Sequence, residues 1–321
     1  MDSLLKKALL PGKILLSSLL IYLALRQIGL SKIASELKTA DLNWLLLAIG
    51  LFLFSHLLGS LQWRTLLKGE GVVLPWFRVA EYYFVGLFFN NFLISSMGGD
   101  VFRMVDVHRA SGQRAAAVST VFLDRFAGLF VMFSMAILSW PWLSAQRAAG
   151  PRMQFFMIVM LVGWMAATVI LFSRRAAKPL AWVLKRILPE RFAKTIKEIY
   201  IQIHSFGRRP ALLVRVLMLA LVVQTSRIMT HYLLARAMGV DLNPLVFLVI
   251  IPIIALSASL PVSLGGLGVR EGLGVILFGK FGVAAESAYS IEFLAYLVAI
   301  FTALPGGVLF MFRRRRDNRQ P

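Results

Sequence analysis

Apolar residues in this chain come in long unbroken runs, not in the alternating or helix-spaced patterns of half-buried elements. Trp44–Leu61, Phe155–Phe172, Leu245–Leu260 and Phe293–Phe312 hold few or no charges. About 18 such residues cross a hydrocarbon core about 30 Å thick. The runs predict membrane segments over about 13–30, 44–67, 79–97, 118–141, 154–173, 211–237, 244–262, 268–283 and 288–312. Backbone groups in lipid have no water to bond, so these segments must be helical. The period-two alternation of an outer-membrane barrel is absent. The predicted fold class is therefore all-α: a polytopic integral membrane bundle of about 7–9 helices.

Charge between the runs orients them. Lys6, Lys7 and Lys13 precede and enter the first run, and no small-residue cleavage site follows it before Arg26, so it reads as an uncleaved span with a cytoplasmic N-terminus. The interval Arg174–Pro210 carries ten basic residues against Glu190 and Glu198, which places it in the cytoplasm. Its Leu180, Val183, Leu184, Ile187 and Leu188 recur at helical spacing, as in a helix lying on the membrane surface. Arg313–Arg316 puts the C-terminal tail on the same side. These placements conflict if every run crosses the bilayer. They agree if 79–117 enters and leaves from the cytoplasmic side and 244–283 from the outer side, each as a re-entrant hairpin or broken helix.

Those two segments share a motif. Ser96-Met97-Gly98-Gly99-Asp100-Val101-Phe102-Arg103 and Ser263-Leu264-Gly265-Gly266-Leu267-Gly268-Val269-Arg270 both fit S-[ML]-G-G-x-x-[FV]-R, 167 positions apart. Since one hairpin enters from each face, the halves form an inverted repeat, about 44–141 and 211–312, joined by the basic segment 174–210. The whole of 1–312 is then one transmembrane domain, with 313–321 a basic tail. Such architecture belongs to transporters that hold ligand near the midplane where helices break. Gly98, Gly99, Pro261, Gly265, Gly266 and Gly268 are the expected hinge residues; glycine lets backbone turn without a Cβ clash. The alternative is that both Gly-Gly pairs are plain interfacial turns.

Composition narrows the chemistry. The chain is 59% hydrophobic and 16% charged, against roughly 45–50% and about 25% in soluble domains. Its net charge of +20 sits between apolar runs, so it reads as anchoring to anionic headgroups, at about 1 kcal/mol per well-placed cation, and not as a nucleic-acid surface. There is no cysteine, hence no disulfide or thiolate chemistry. No P-loop, zinc-spaced histidine pair or nucleophile elbow is present, and the glycines of 265–274 lack the strand that a dinucleotide site needs. No cofactor, metal or catalytic residue is expected.

Ionisable residues within spans cost about 2.5–3.5 kcal/mol each on insertion scales and point to function. Arg103, Arg125, Arg227 and Arg270 are candidates to bind a phosphate headgroup, because the guanidinium fork matches phosphate oxygens. Asp100, Asp124 and Glu271 are the expected counter-charges. Gln224, Thr230 and His231 share a face with Arg227, while His231 and His56 alone read as satisfied core histidines, and Arg26 and Arg64 as snorkelling span ends. Neighbours such as Asp124 and Arg125 do not face each other on a helix, so each needs a partner elsewhere. Two readings stand for that pair, a wet phosphate-binding cavity or a buried Asp–Arg network joining helices.

Gly98-Gly99-Asp100-x-x-Arg103, Asp124-Arg125-x-x-Gly128 and Pro261-x-Ser263-x-Gly265-Gly266-x-Gly268-x-Arg270-Glu271 resemble the transmembrane region of lysylphosphatidylglycerol synthases, which recurs in stand-alone flippase-like UPF0104 proteins. The resemblance runs from about residue 10 to 312. It implies a bacterial inner-membrane protein that moves an anionic, glycosylated or polyprenyl-linked lipid between leaflets, without the soluble aminoacyl-transferase domain of the two-domain members. Membrane lipids are the expected partners, with a separate synthase or glycosyltransferase as a further one. A lipid-headgroup transferase and a non-catalytic subunit of a synthesis system are the rival readings.

Overall fold

The computed structural model describes residue 38 and residues 40–92, 98–145, 151–173, 200–201, 204, 206, 209–258 and 268–312. The expected span over 13–30, nearly all of 174–210, the tail 313–321 and the hinge residues Pro261, Gly265 and Gly266 lie outside them. Among the described residues all regular structure is helical. Four long helices, α1 (Leu42–Gly69), α4 (Arg114–Ala145), α6 (Pro210–Ala237) and α9 (Ala285–Phe312), are long and apolar enough to cross a membrane. Between them lie α2 (Trp76–Phe92), α3 (Gly98–Ser111), α5 (Pro151–Phe172), α7 (Pro244–Ala258) and α8 (Val269–Gly279).

Each half thus runs long, short, short, long: α1–α4 and α6–α9. At 1.5 Å per residue the 17 residues of α2 span about 26 Å, and the 14, 15 and 11 of α3, α7 and α8 about 21, 22 and 16 Å. These fall short of a 30 Å core, as the two expected hairpins require.

Helix ends repeat with the helices. Gly71 (φ 79°) ends α1 and Gly239 (φ 71°) ends α6, in the left-handed region that only glycine adopts freely. Both close the same cap: Val72 N donates to Leu67 O at 2.9 Å, and Val240 N to Ala235 O at 2.9 Å. These matched caps support the repeat independently of the S-[ML]-G-G motif.

Orientation follows from how α1 meets α6. Asp41 N, at the start of α1, donates to Ala237 O at the end of α6 at 2.9 Å. At the other end, Arg209 before α6 donates to the carbonyl of Gly69, the last residue of α1. The equivalent helices lie side by side and antiparallel, so the halves are inverted. The remaining packing obeys the same two-fold: α2 rests on α9 and α7 on α4, α2 pairs with α3 and α7 with α8, and α4 meets α6 as α1 meets α9. Helix α5 stands beside this core, its Trp164 packed 5.0–5.5 Å from the rings of Phe126, Phe130 and Phe133 on α4.

The exterior carries large apolar side chains such as Leu46, Leu138 and Phe155, whereas Asp100, Arg103, Asp106, Asp124, Glu271 and Glu292 are buried. Apolar outside and charged inside is the distribution of a bundle whose solvent is lipid.

Candidate functional site

In the first half, four charges from two helices close into a ring. Asp100 and Arg103 lie one turn apart on α3, and Asp124 and Arg125 adjoin on α4. The pairing is crossed: Arg103 Nη2 donates to Asp124 Oδ2 at 2.8 Å, and Arg125 Nε to Asp100 Oδ2 at 2.8 Å. Arg125 Nη2 adds a second bond to Asp100 Oδ1 at 3.1 Å, and Arg103 Nη1 reaches the same oxygen at 3.4 Å. Two carboxylates and two guanidiniums sum to zero formal charge, which is what a low-dielectric interior tolerates. Asp124 and Arg125, as adjacent residues, do each find their partner on another helix.

The neighbours complete the hydrogen bonds. Gln62 on α1 donates to Asp124 Oδ1 at 3.0 Å. Asn90 near the end of α2 donates to Asp100 at 3.5 Å and accepts from Gly99 N at 2.8 Å, capping α3 from its partner helix. The Arg103 guanidinium lies between two aromatic faces, 4.1 Å from the Trp63 ring centroid and 4.7 Å from that of Tyr83, where cation–π attraction favours it. Arg103 is thereby enclosed. Arg125 is not: 44% of its side chain is exposed, against 8% or less for Asp100, Arg103 and Asp124.

A second cluster occupies the opposite half. The side chain of Glu271, in the first turn of α8, caps that helix by accepting from Gly268 N at 2.6 Å, and Gly268 has φ 85°. Arg270, Glu271, Tyr296 and Glu292 are close enough to interact electrostatically. Glu292 on α9 is fully buried and its Oε1 lies 2.9 Å from His231 Nδ1 on α6. Gly274 on α8 leaves the room Glu292 fills, since a Cβ there would meet Glu292 Cγ at 2.7 Å.

Between the clusters, Arg227 on α6 donates to the Tyr83 hydroxyl at 3.2 Å. The polar face expected around Arg227 therefore divides. Arg227 turns to α2, His231 to α9, and Thr230 back to the Ser226 carbonyl at 2.9 Å. Arg64, read as lying at a span end, donates to the Leu74 carbonyl in the segment after α1 at 3.1 Å. Of the expected site residues, Asp100, Arg103, Asp124 and Arg125 meet directly, Arg227 joins them through Tyr83, and Arg270 and Glu271 belong to the second cluster. Gly98 and Gly99 begin α3. Trp63, Tyr83, Gln62 and Glu292 went unread in the sequence. Glu292 alone had a signal, an acid entering an otherwise uncharged run.

Two comparisons place the chain. The family model of the lysylphosphatidylglycerol synthase TM region matches residues 12–309. A UPF0104 membrane protein of Pyrococcus horikoshii is 24% identical over 326 residues, covering 94% of this chain and 96% of that protein. A UPF0104 membrane protein of Methanothermobacter thermautotrophicus is 22% identical over 306 residues, covering 88% of each.

Proposed function

Since this chain belongs to the family of the lysylphosphatidylglycerol synthase transmembrane region, we propose that it moves a phosphate-bearing lipid between leaflets of the plasma membrane, with both termini cytoplasmic. The observation that carries this reading is Arg125: held by Asp100 through two bonds, it keeps 44% of its side chain accessible while the rest of the ring is buried. A headgroup phosphate takes the free edge of that guanidinium bidentately. Asp100 and Asp124 keep the empty site neutral, so the phosphate competes with carboxylates already in place and is not trapped. Arg227 and Arg270, on the other half, receive the phosphate as it crosses, and the lipid chains stay in the bilayer.

The test uses purified protein in vesicles with headgroup-labelled anionic lipid. Arg125→Ala should slow translocation about tenfold or more, because a charge-assisted hydrogen bond contributes about 1.5–3 kcal/mol. Arg125→Lys keeps the charge without the fork and should recover part of the rate. Unchanged translocation in Arg125→Ala would remove the phosphate role. Chemically altered lipid recovered from the vesicles would favour a headgroup transferase instead.

A further inference from the structure

The two clusters differ in charge although the halves are equivalent. Arg103 and Arg270 correspond through the shared motif, and Asp124 and Glu292 lie 21 and 22 positions beyond them. In the first cluster each of the two carboxylates is matched by an arginine. In the second, Glu271 lies near both Glu292 and the cluster's one arginine, Arg270, and Glu292 is held by a histidine where Asp124 is held by an arginine. With both carboxylates ionised and His231 neutral, the second cluster carries one uncompensated negative charge in a buried site. That state is costly in low dielectric.

Two acceptor atoms mark the same deficit. Glu292 Oε2 and Glu271 Oε1 are both buried without a hydrogen-bond partner among the described residues, on side chains 0% and 1% exposed. An acceptor left bare on each of two neighbouring carboxylates is the arrangement that one added proton relieves. It turns one carboxylate oxygen into a donor and brings the cluster to zero. Among the described residues no arginine or lysine lies within ion-pair distance of either carboxylate. On α6 Arg227 is engaged with Tyr83 of α2 and makes no ion pair among the described residues, on α1 His56 faces Thr302 of α9 at 3.4 Å, and on α9 Tyr296 is neutral when protonated. His231 Nδ1 already fills one position on Glu292, which favours a proton over a metal cation that would need several oxygens there.

We propose that Glu292, His231 and Glu271 form a binding site for one exchangeable proton, and that this proton couples lipid movement to the proton gradient. The proton site stands on geometry and charge count alone; the coupling rests on the translocation reading above. The stoichiometry is one proton bound per cycle at a site that is neutral when loaded. It sits in the half opposite the Arg125 ring, so that loading and lipid binding act on the two halves of one inverted bundle.

Two measurements test this separately. Infrared difference spectra between acidic and alkaline buffer, on detergent-purified protein, should show a protonated-carboxyl band that disappears in Glu292→Gln and in Glu271→Gln. Either change makes the cluster neutral without a proton, so the second guards against one variant failing to fold. A band that persists in both variants, or absent from the wild type, overturns the site whatever the vesicles show. In vesicles holding labelled anionic lipid, a one-unit pH difference should drive up to about a tenfold leaflet asymmetry, since one proton per lipid across one pH unit is worth a factor of ten. Glu292→Gln should leave the leaflets equal. Wild-type protein that moves lipid with no response to the gradient, or follows a sodium gradient, overturns the coupling. If wild type moves no lipid at all, the translocation reading fails while the infrared result still decides the proton site.

Discussion

Asp124→Asn is expected to lower stability by about 3–5 kcal/mol, the cost of stranding one member of a buried ion pair. Its partner Arg103 has 4% of its side chain exposed and sits between Trp63 and Tyr83. With Asp124 neutral, the only ion-pair contact left to Arg103 is the long 3.4 Å one to Asp100, both of whose oxygens are already bonded by Arg125. The guanidinium has no path to water, so its charge stays buried and under-compensated. Thermal unfolding in detergent, followed by loss of the monodisperse peak, measures the change. The double substitution Arg103→Leu with Asp124→Leu should be less damaging than Asp124→Asn alone, because it removes both charges; Gln62 then loses its 3.0 Å acceptor, so recovery is partial. Asp241→Asn is the internal control. It pairs with Arg236 too, but its side chain is 80% exposed, and such surface pairs contribute about 0–1 kcal/mol.

That contrast bears on what could be read in advance. The four long spans, the short helices between them and the inversion were legible because each depends on local facts: run length, cation placement and a recurring motif. The lipid environment made them more legible, since unbroken apolar runs have few other uses. The matched caps at Gly71 and Gly239 are equally local and support the same repeat.

The pairings were not legible, because they depend on the register between packed helices. Nothing in Asp124-Arg125 says that α3 lies so that each meets the opposite sign; that crossing is set where Gly86 and Gly99 bring α2 against α3 and carry Arg103 to α4. Arg227 and His231 share a helical face at i, i+4, yet go to different partners because α2 and α9 flank that face. A sequence names the charges and the faces they occupy. Whether an arginine is a strut, as Arg103 is, or an accessible ligand, as Arg125 is, becomes visible only when the neighbouring helices are in place.

The register itself yields the second large expectation. Gly99→Ala should destabilise the protein by about 1–3 kcal/mol or more and abolish lipid movement. A Cβ on Gly99 would run into the carbonyl of Gly86 and approach the Asn90 backbone nitrogen at 2.8 Å. Both obstacles are main chain, so no rotamer change relieves them and α3 must move away from α2. The displacement breaks the Asn90 cap on Gly99 N and lifts Arg103 off the Tyr83 ring, opening the Asp–Arg ring that presents Arg125. Gly306→Ala tests the same principle in the other half, where α9 crosses the Phe84 carbonyl of α2. Close helix approach through small residues supplies the association energy that lipid, being as apolar as leucine, does not. Gly50→Ala and Gly163→Ala provide the comparison: nothing lies within 4 Å of a Cβ at either, and both are helical, so each should be neutral or stabilise by up to about 1 kcal/mol. If Gly99→Ala melts and translocates like Gly50→Ala, the hairpin contact does not set the geometry of the site.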